Sequence, residues 1–154
     1  MKHGKLSSGI LMYRRRAGHL EVFLVHPGGP FWACRDSGAW SIPKGEHSPE
    51  EGSLEAARRE LGEETGFGVS GPFEPLTPVR QRSGKRVQAW AVESDCDPAE
   101  LRSNMFALEW PPRSGRRQEF PEVDRAAWFP IETAREKINP AQVALIDELV
   151  ERLK

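Results

Sequence analysis

The chain has 154 residues, with 23 acidic against 22 basic side chains and a formal net charge of −1. That length suits one compact domain, expected over residues 1–154, with enough core to need no disulfide. The near balance of charge leaves no overall field to draw the molecule to DNA or a membrane. No stretch reaches the about 18 consecutive apolar residues of a spanning helix, and the polar first ten residues lack the apolar region of a secretory signal. The expectation is a soluble, cytoplasmic protein, monomer or homodimer, with Cys34 and Cys96 as reduced thiols in no zinc-site spacing.

In chain order, residues 8–13 and 20–26 are apolar runs rich in strand formers, and the polar stretch 14–19 with Gly18 predicts a hairpin between them. Residues 27–41 are dense in Gly, Pro and aromatics, which predicts a loop carrying Phe31, Trp32 and Trp40. Over 53–64, Leu54, Ala57 and Leu61 recur at helical spacing, with Ser53 as the expected cap and Gly66 as the stop. Residues 69–79 read as irregular chain with a short strand near the end. The run 86–93 alternates as a strand, with Val87, Ala89 and Ala91 on one face and Gln88, Trp90 and Val92 on the other, fed by a turn at 83–85. Residues 106–110 and 126–129 are short apolar segments around a loop, 111–121, that holds Arg113, Arg116 and Arg117. Asn139-Pro140 then opens a helix whose apolar stripe is Val143, Ile146, Leu149, Val150 and Leu153. No repeat or low-complexity tract interrupts this order.

The chemistry concentrates between Gly45 and Phe67. On a helix, Glu60 stands about one turn from Glu63 and Glu64, so three carboxylates share one sector and repel. A hard divalent cation with oxygen ligands removes that conflict, and magnesium characteristically shares such a site with phosphate and water. A metal there neutralises a diphosphate and acidifies an attacking water, and a glutamate completes the proton transfer. Arg59 is placed to pair with Glu51 or Glu63 and hold a carboxylate still, and Gly45 allows close backbone approach. The bland alternative, a solvated glutamate-rich face or a scaffold helix that only buries Leu54, Ala57 and Leu61, is the usual explanation of a lone Glu-Glu pair.

Gly45, Glu51, Arg59, Glu60, Leu61, Glu63, Glu64, Gly66 and Phe67 occupy every defined position of G-x5-E-x7-R-E-U-x-E-E-x-G-U, with U apolar. At ordinary residue frequencies a random window matches on the order of once in 10⁹. The segment resembles the Nudix hydrolases. The resemblance implies an α/β fold, an α/β/α sandwich around a mixed β-sheet with a catalytic loop-helix-loop. It also implies metal binding, Mg2+ with Mn2+ as a substitute, by Glu60, Glu63, Glu64 and the Gly45 carbonyl. Glu60 is the expected water-activating base, with Glu64 and Arg59 also catalytic, and Glu119 or Glu122 would supply a further ligand or base, though spacing fixes neither.

For substrate, Trp40-Ser41-Ile42-Pro43-Lys44-Gly45 looks like the Trp-x-x-Pro-Lys-Gly approach of dinucleoside polyphosphate and diphosphoinositol polyphosphate hydrolases. Lys44, Arg80, Arg82, Lys85 and Arg116 are candidate phosphate contacts, with plain solvation as the alternative for each cluster. The expected partner is a small nucleotide-like molecule, with diadenosine tetraphosphate as the favoured example. Arg82, Ser83 and Gly84 stand where related enzymes of ADP-ribose and of some dinucleoside polyphosphates carry a proline or tyrosine, so nucleoside triphosphates, nucleotide sugars, ADP-ribose and RNA 5′ ends remain alternatives. A nucleotide-sensing module without turnover is a further one. His3, His19, His26 and His47 show no mutual spacing for a metal site.

Overall fold

The computed structural model of the chain describes residues 6–154; residues 1–5, and with them His3, lie outside that range. β1 (Leu6–Arg16) and β2 (His19–Pro27) form the expected hairpin, each strand longer than its apolar run. Their turn is tight because Ala17 and Gly18 both adopt positive φ, 53° and 78°, which matches the right-handed twist of the paired strands. After the aromatic loop come β3 (Lys44–Glu46) and α1 (Ser53–Thr65), then β4 (Glu74–Pro75), β5 (Val79–Arg80) and β6 (Arg86–Glu93). β7 (Met105–Glu109), β8 (Arg117–Pro121), β9 (Val123–Pro130), α2 (Ile131–Lys137) and α3 (Val143–Arg152) complete the order.

Several features differ from the sequence expectation, β3 and the following among them. Part of the expected loop 111–121 is strand β8, which pairs with β7 in a separate two-stranded arm; its polar side chains are exposed, so no apolar alternation announced it. α2 has only seven residues and one buried side chain, Ala134, too little periodicity to read. Ser53 is the first helical residue of α1, not its cap: Gly52 holds that position, and the Ser53 hydroxyl is engaged elsewhere. Gly66 ends the helix as expected, at φ 78° with its N–H bonded to the Gly62 carbonyl.

The main sheet runs β4-β6-β1-β2-β9, with β3 added to β1 and β5 to β6. It is mixed: β1 and β6 are parallel, and the other pairs are antiparallel. Strand alternation divides the core into two layers. Ile10, Met12, Phe23, Val25 and Val92 face α1, where Ala57 and Leu61 are buried. Leu11, Val22, Leu24, Val87, Ala89 and Ala91 face α2 and α3, where Ala134, Ile146 and Leu149 pack. Both faces of β6 therefore contribute to the core. Leu145, outside the expected stripe of α3, is fully buried as well. The result is an α/β/α sandwich with α1 alone on one side. Asn139 does cap, but it caps the short 3-10 turn Pro140–Gln142 that leads into α3, through an acceptor bond from the Ala141 N–H at 2.9 Å.

Candidate active site

The Ala57 and Leu61 face of α1 is fixed against the sheet, which sets Glu60 and Glu64 against β3, while Glu63 is bonded by Arg59. Glu60 is 8 % exposed, and the reason it fits is Gly45: a Cβ there would stand 1.9 Å from the Glu60 carboxyl carbon. Glu64 accepts a hydrogen bond from the Lys44 N–H at 3.2 Å, tying α1 to β3 a second time. Arg59 is the hub. Its guanidinium donates to both Glu51 oxygens at 2.8 and 3.0 Å, to Glu60 at 2.9 Å and to Glu63 at 3.0 Å. Glu51 and Glu63 were the expected partners; Glu60 is added.

Glu122 arrives through the backbone. The Asn104 N–H donates to the Glu63 carbonyl at 2.8 Å, and the Glu122 N–H donates to the Asn104 carbonyl at 2.8 Å, so the last turn of α1 and the head of β9 are stitched together. Glu122 then lines a cleft of about 130 Å³ with Lys44, Glu64, Val25 and Pro27. Glu119 lies on β8 opposite Ala107 and is exposed. Of the two acidic candidates outside the helix, Glu122 is the one in the cleft.

Crowding and burial leave their mark on these carboxyls. Burial pushes Glu64 up to about 8, against the opposing pull of the Lys44 N–H bond. Burial and then the Glu63 charge raise Glu60, with Arg59 opposing. The same two causes raise Glu122. Lys44 is lowered by burial and next by Lys85, with the charges of Glu64, Glu46 and Glu60 opposing. Arg59 is raised, its Glu51 bonds being the main cause.

A hard cation fits this donor set in kind: oxygen donors, an excess of negative charge held at cost, and a glycine cradle beside the most buried carboxylate. Among the described residues no three His, Cys, Asp or Glu side chains converge closely enough to hold a metal; Glu60 and Glu63 are both bonded by Arg59.

The basic candidates divide. Lys85 pairs with Glu46 at 3.1 Å, beside β3. Arg80 and Arg86 face each other across β5 and β6, and Arg82 lies in the turn beyond, all three exposed. Arg116 lies in the connection between β7 and β8. A larger hollow of about 230 Å³ lies by Ser8, His47 and Ser53 but holds no carboxylate. There the Trp90 indole donates to Ser53 Oγ at 2.9 Å, and Ser8 bridges Ser53 and His47 at 2.7 Å each, fixing the chain that leads into α1. That tether was invisible in sequence because its members lie far apart. Cys34 and Cys96 are free thiols, and burial pushes Cys96 up to about 11.

Comparison with known proteins agrees with this geometry. The family model described as the NUDIX domain matches residues 5–149. No curated relative matches the chain. Among solved structures, the NUDIX domain of Shewanella oneidensis NrtR complexed with ADP ribose aligns at a TM-score of 0.70 and 18 % identity, covering 100 % of this chain and 91 % of that one. A C. elegans Ap4A hydrolase binary complex aligns at 0.64 and 21 % identity, covering 96 % and 97 %. A MutT structure from work on Aliivibrio salmonicida and Vibrio cholerae aligns at 0.57 and 15 % identity, covering 96 % of each chain. At such identities these likenesses speak for the fold.

Proposed function

We propose, from the premise that the chain belongs to the Nudix family, that it is a divalent-metal-dependent pyrophosphohydrolase of nucleoside diphosphate-linked compounds, with dinucleoside polyphosphates such as diadenosine tetraphosphate as its substrates. The observation that carries the reading is the Glu60 carboxyl packed on Gly45, with Glu64 and Glu122 lining the cleft beside the neighbouring Lys44. Glu60, Glu63, Glu64 and the Gly45 carbonyl would hold the cation, with Glu122 as a further ligand. When bound, Mg2+, or Mn2+ in its place, neutralises the diphosphate and acidifies water.

The chain's own residues do the rest. Glu60, whose pKa is raised by burial and the Glu63 charge, takes the proton from water as the water oxygen bonds to phosphorus and the bridging P–O bond breaks, leaving two phosphate products. Arg59 positions Glu60 and Glu63 and keeps Glu51 against them. Lys44 in the cleft, and the exposed Arg80 and Arg82 beyond it, offer charge to a long polyphosphate. Trp40, the first residue of the Trp-x-x-Pro-Lys-Gly approach, is buried against Phe129, so it acts by holding the loop in place rather than by stacking on a base. No helix of the described residues is long and apolar enough to cross a membrane.

The test is product release from diadenosine polyphosphates, ADP-ribose, nucleotide sugars, nucleoside triphosphates, diphosphoinositol polyphosphates and 5′-triphosphorylated RNA, with Mg2+ and with chelator. Mg2+-dependent cleavage of diadenosine tetraphosphate, lost in Glu60→Gln, is expected. Tight binding without turnover across the panel would replace the hydrolase by a nucleotide sensor.

A further inference from the structure

His26 is completely buried at the end of β2, yet both its ring nitrogens meet acceptors. Nε2 lies 2.6 Å from the Arg35 carbonyl oxygen and Nδ1 lies 2.8 Å from Asp124 Oδ1. A carbonyl and a carboxylate accept and do not donate, so both bonds form only when both nitrogens carry protons. The Asp124 carboxylate supplies the counter-charge that a buried cation needs. Its placement is built in: the register between β2 and β9 slips after His26, which faces Arg125, so that Pro27 faces Val123 and Asp124 is the additional residue of a bulge. The other charged groups around the ring are Arg125, 3.5 Å from Asp124 Oδ1 and stacked over Trp40, and Asp36, bonded to the Trp40 indole and to Lys137. Trp40 itself meets the His26 ring edge-on at 5.2 Å.

We infer that His26 is held as an imidazolium and serves as a positioning residue, joining the aromatic loop 28–39 to the head of β9 and so setting where Glu122 stands in the cleft. Arg35 belongs to that loop, Asp124 follows Glu122 by two residues, and the Gly28 N–H donates to the Glu122 carbonyl at 2.9 Å. A neutral imidazole has one N–H and satisfies one side only, leaving a lone pair facing an acceptor on the other. Loss of either bond releases the loop or Asp124, and the Gly28–Glu122 bond loses its support.

The kinetic part of this role rests on the hydrolase reading; the protonation state and the tether do not. The experiment is nitrogen-15 NMR of the histidine side chains in the full chain at pH 7, with the His26 signals assigned by their loss in His26→Gln. Two protonated ring nitrogens are expected, and one bare nitrogen overturns the inference. Hydrogen exchange of the Gly28 amide is read alongside. Protection at least tenfold lower in His26→Gln is expected, and unchanged protection overturns the positioning role. With diadenosine tetraphosphate and Mg2+, His26→Gln should lower kcat/KM at least tenfold, and the same change should have little further effect in a Glu122→Gln background. An undiminished kcat/KM in the variant overturns the kinetic role, whereas a wild type without turnover on any substrate counts against the hydrolase reading and leaves the NMR and exchange results to decide this one. If His26→Gln fails to fold, the wild-type ring is assigned by through-bond correlation from its own backbone amide, and its two nitrogen signals decide.

Discussion

Gly45 and Glu60 are in contact so close that only hydrogen fits between the glycine Cα and the carboxyl, a Cβ falling 1.9 Å from Cδ and 2.1 Å from Oε2. The clash is with the end of a flexible side chain, so Gly45→Ala should fold, at a cost of about 1–3 kcal/mol. The displaced carboxylate should lower kcat about 100-fold, in the range of removing one preorganised group at a reacting centre. Thermal melting and steady-state turnover of the one variant check both halves.

Glu60→Gln should separate function from stability. The amide keeps an oxygen for the Arg59 bond while removing a charge that burial and Glu63 disfavour. Turnover should fall by about 10²–10⁴, while the melting temperature in chelator rises by roughly 3 °C, equivalent to about 1 kcal/mol. A melting temperature that falls together with activity would argue that the glutamate serves the fold.

Metal-free stability should depend on pH through Glu64. Its folded-state value, pushed up to about 8, lies above the ordinary carboxylate value of 4.5, so the folded chain binds this proton more tightly than the unfolded chain. The stabilisation is full below about 4.5 and is lost as pH rises through about 8. In chelator, the melting temperature should therefore decline across that window, and Glu64→Gln should flatten the decline. Mg2+ added at pH 8 should restore stability to the wild type more than to the variant.

Arg59→Lys is not a conservative change at this position. A single ammonium cannot reproduce the fork that reaches Glu51, Glu60 and Glu63 together. Because the guanidinium is partly exposed, the stability loss should be near 1 kcal/mol, with turnover reduced at least tenfold. Urea unfolding beside kinetics measures the contrast.

Ser53→Ala tests the tether that replaces the expected cap. Its hydroxyl accepts from the Trp90 indole and joins Ser8, so removal leaves a half-buried donor unpaired and should cost about 1–3 kcal/mol. Restoring a hydroxyl with Ser53→Thr should recover most of it, as read by thermal melting.

Sequence alone determined the elements whose side chains answer to a local period. The hairpin, α1 with its stop at Gly66, β6 and the apolar stripe of α3 follow from spacings of two and of three to four, which depend only on backbone geometry. The carboxylate set on α1, and Arg59 one turn from Glu63, were legible for the same reason. Tertiary structure alone decided which distant residues complete the site. Glu122 rather than Glu119 lines the cleft because Asn104 bonds α1 on one side and β9 on the other. Ser53 became a tether because folding set Ser8 and Trp90 against it. The two acceptors of His26 come from a loop and from a bulge, 9 and 98 residues away along the chain. Such contacts arise from how strands pair and where a register slips, which no local period encodes.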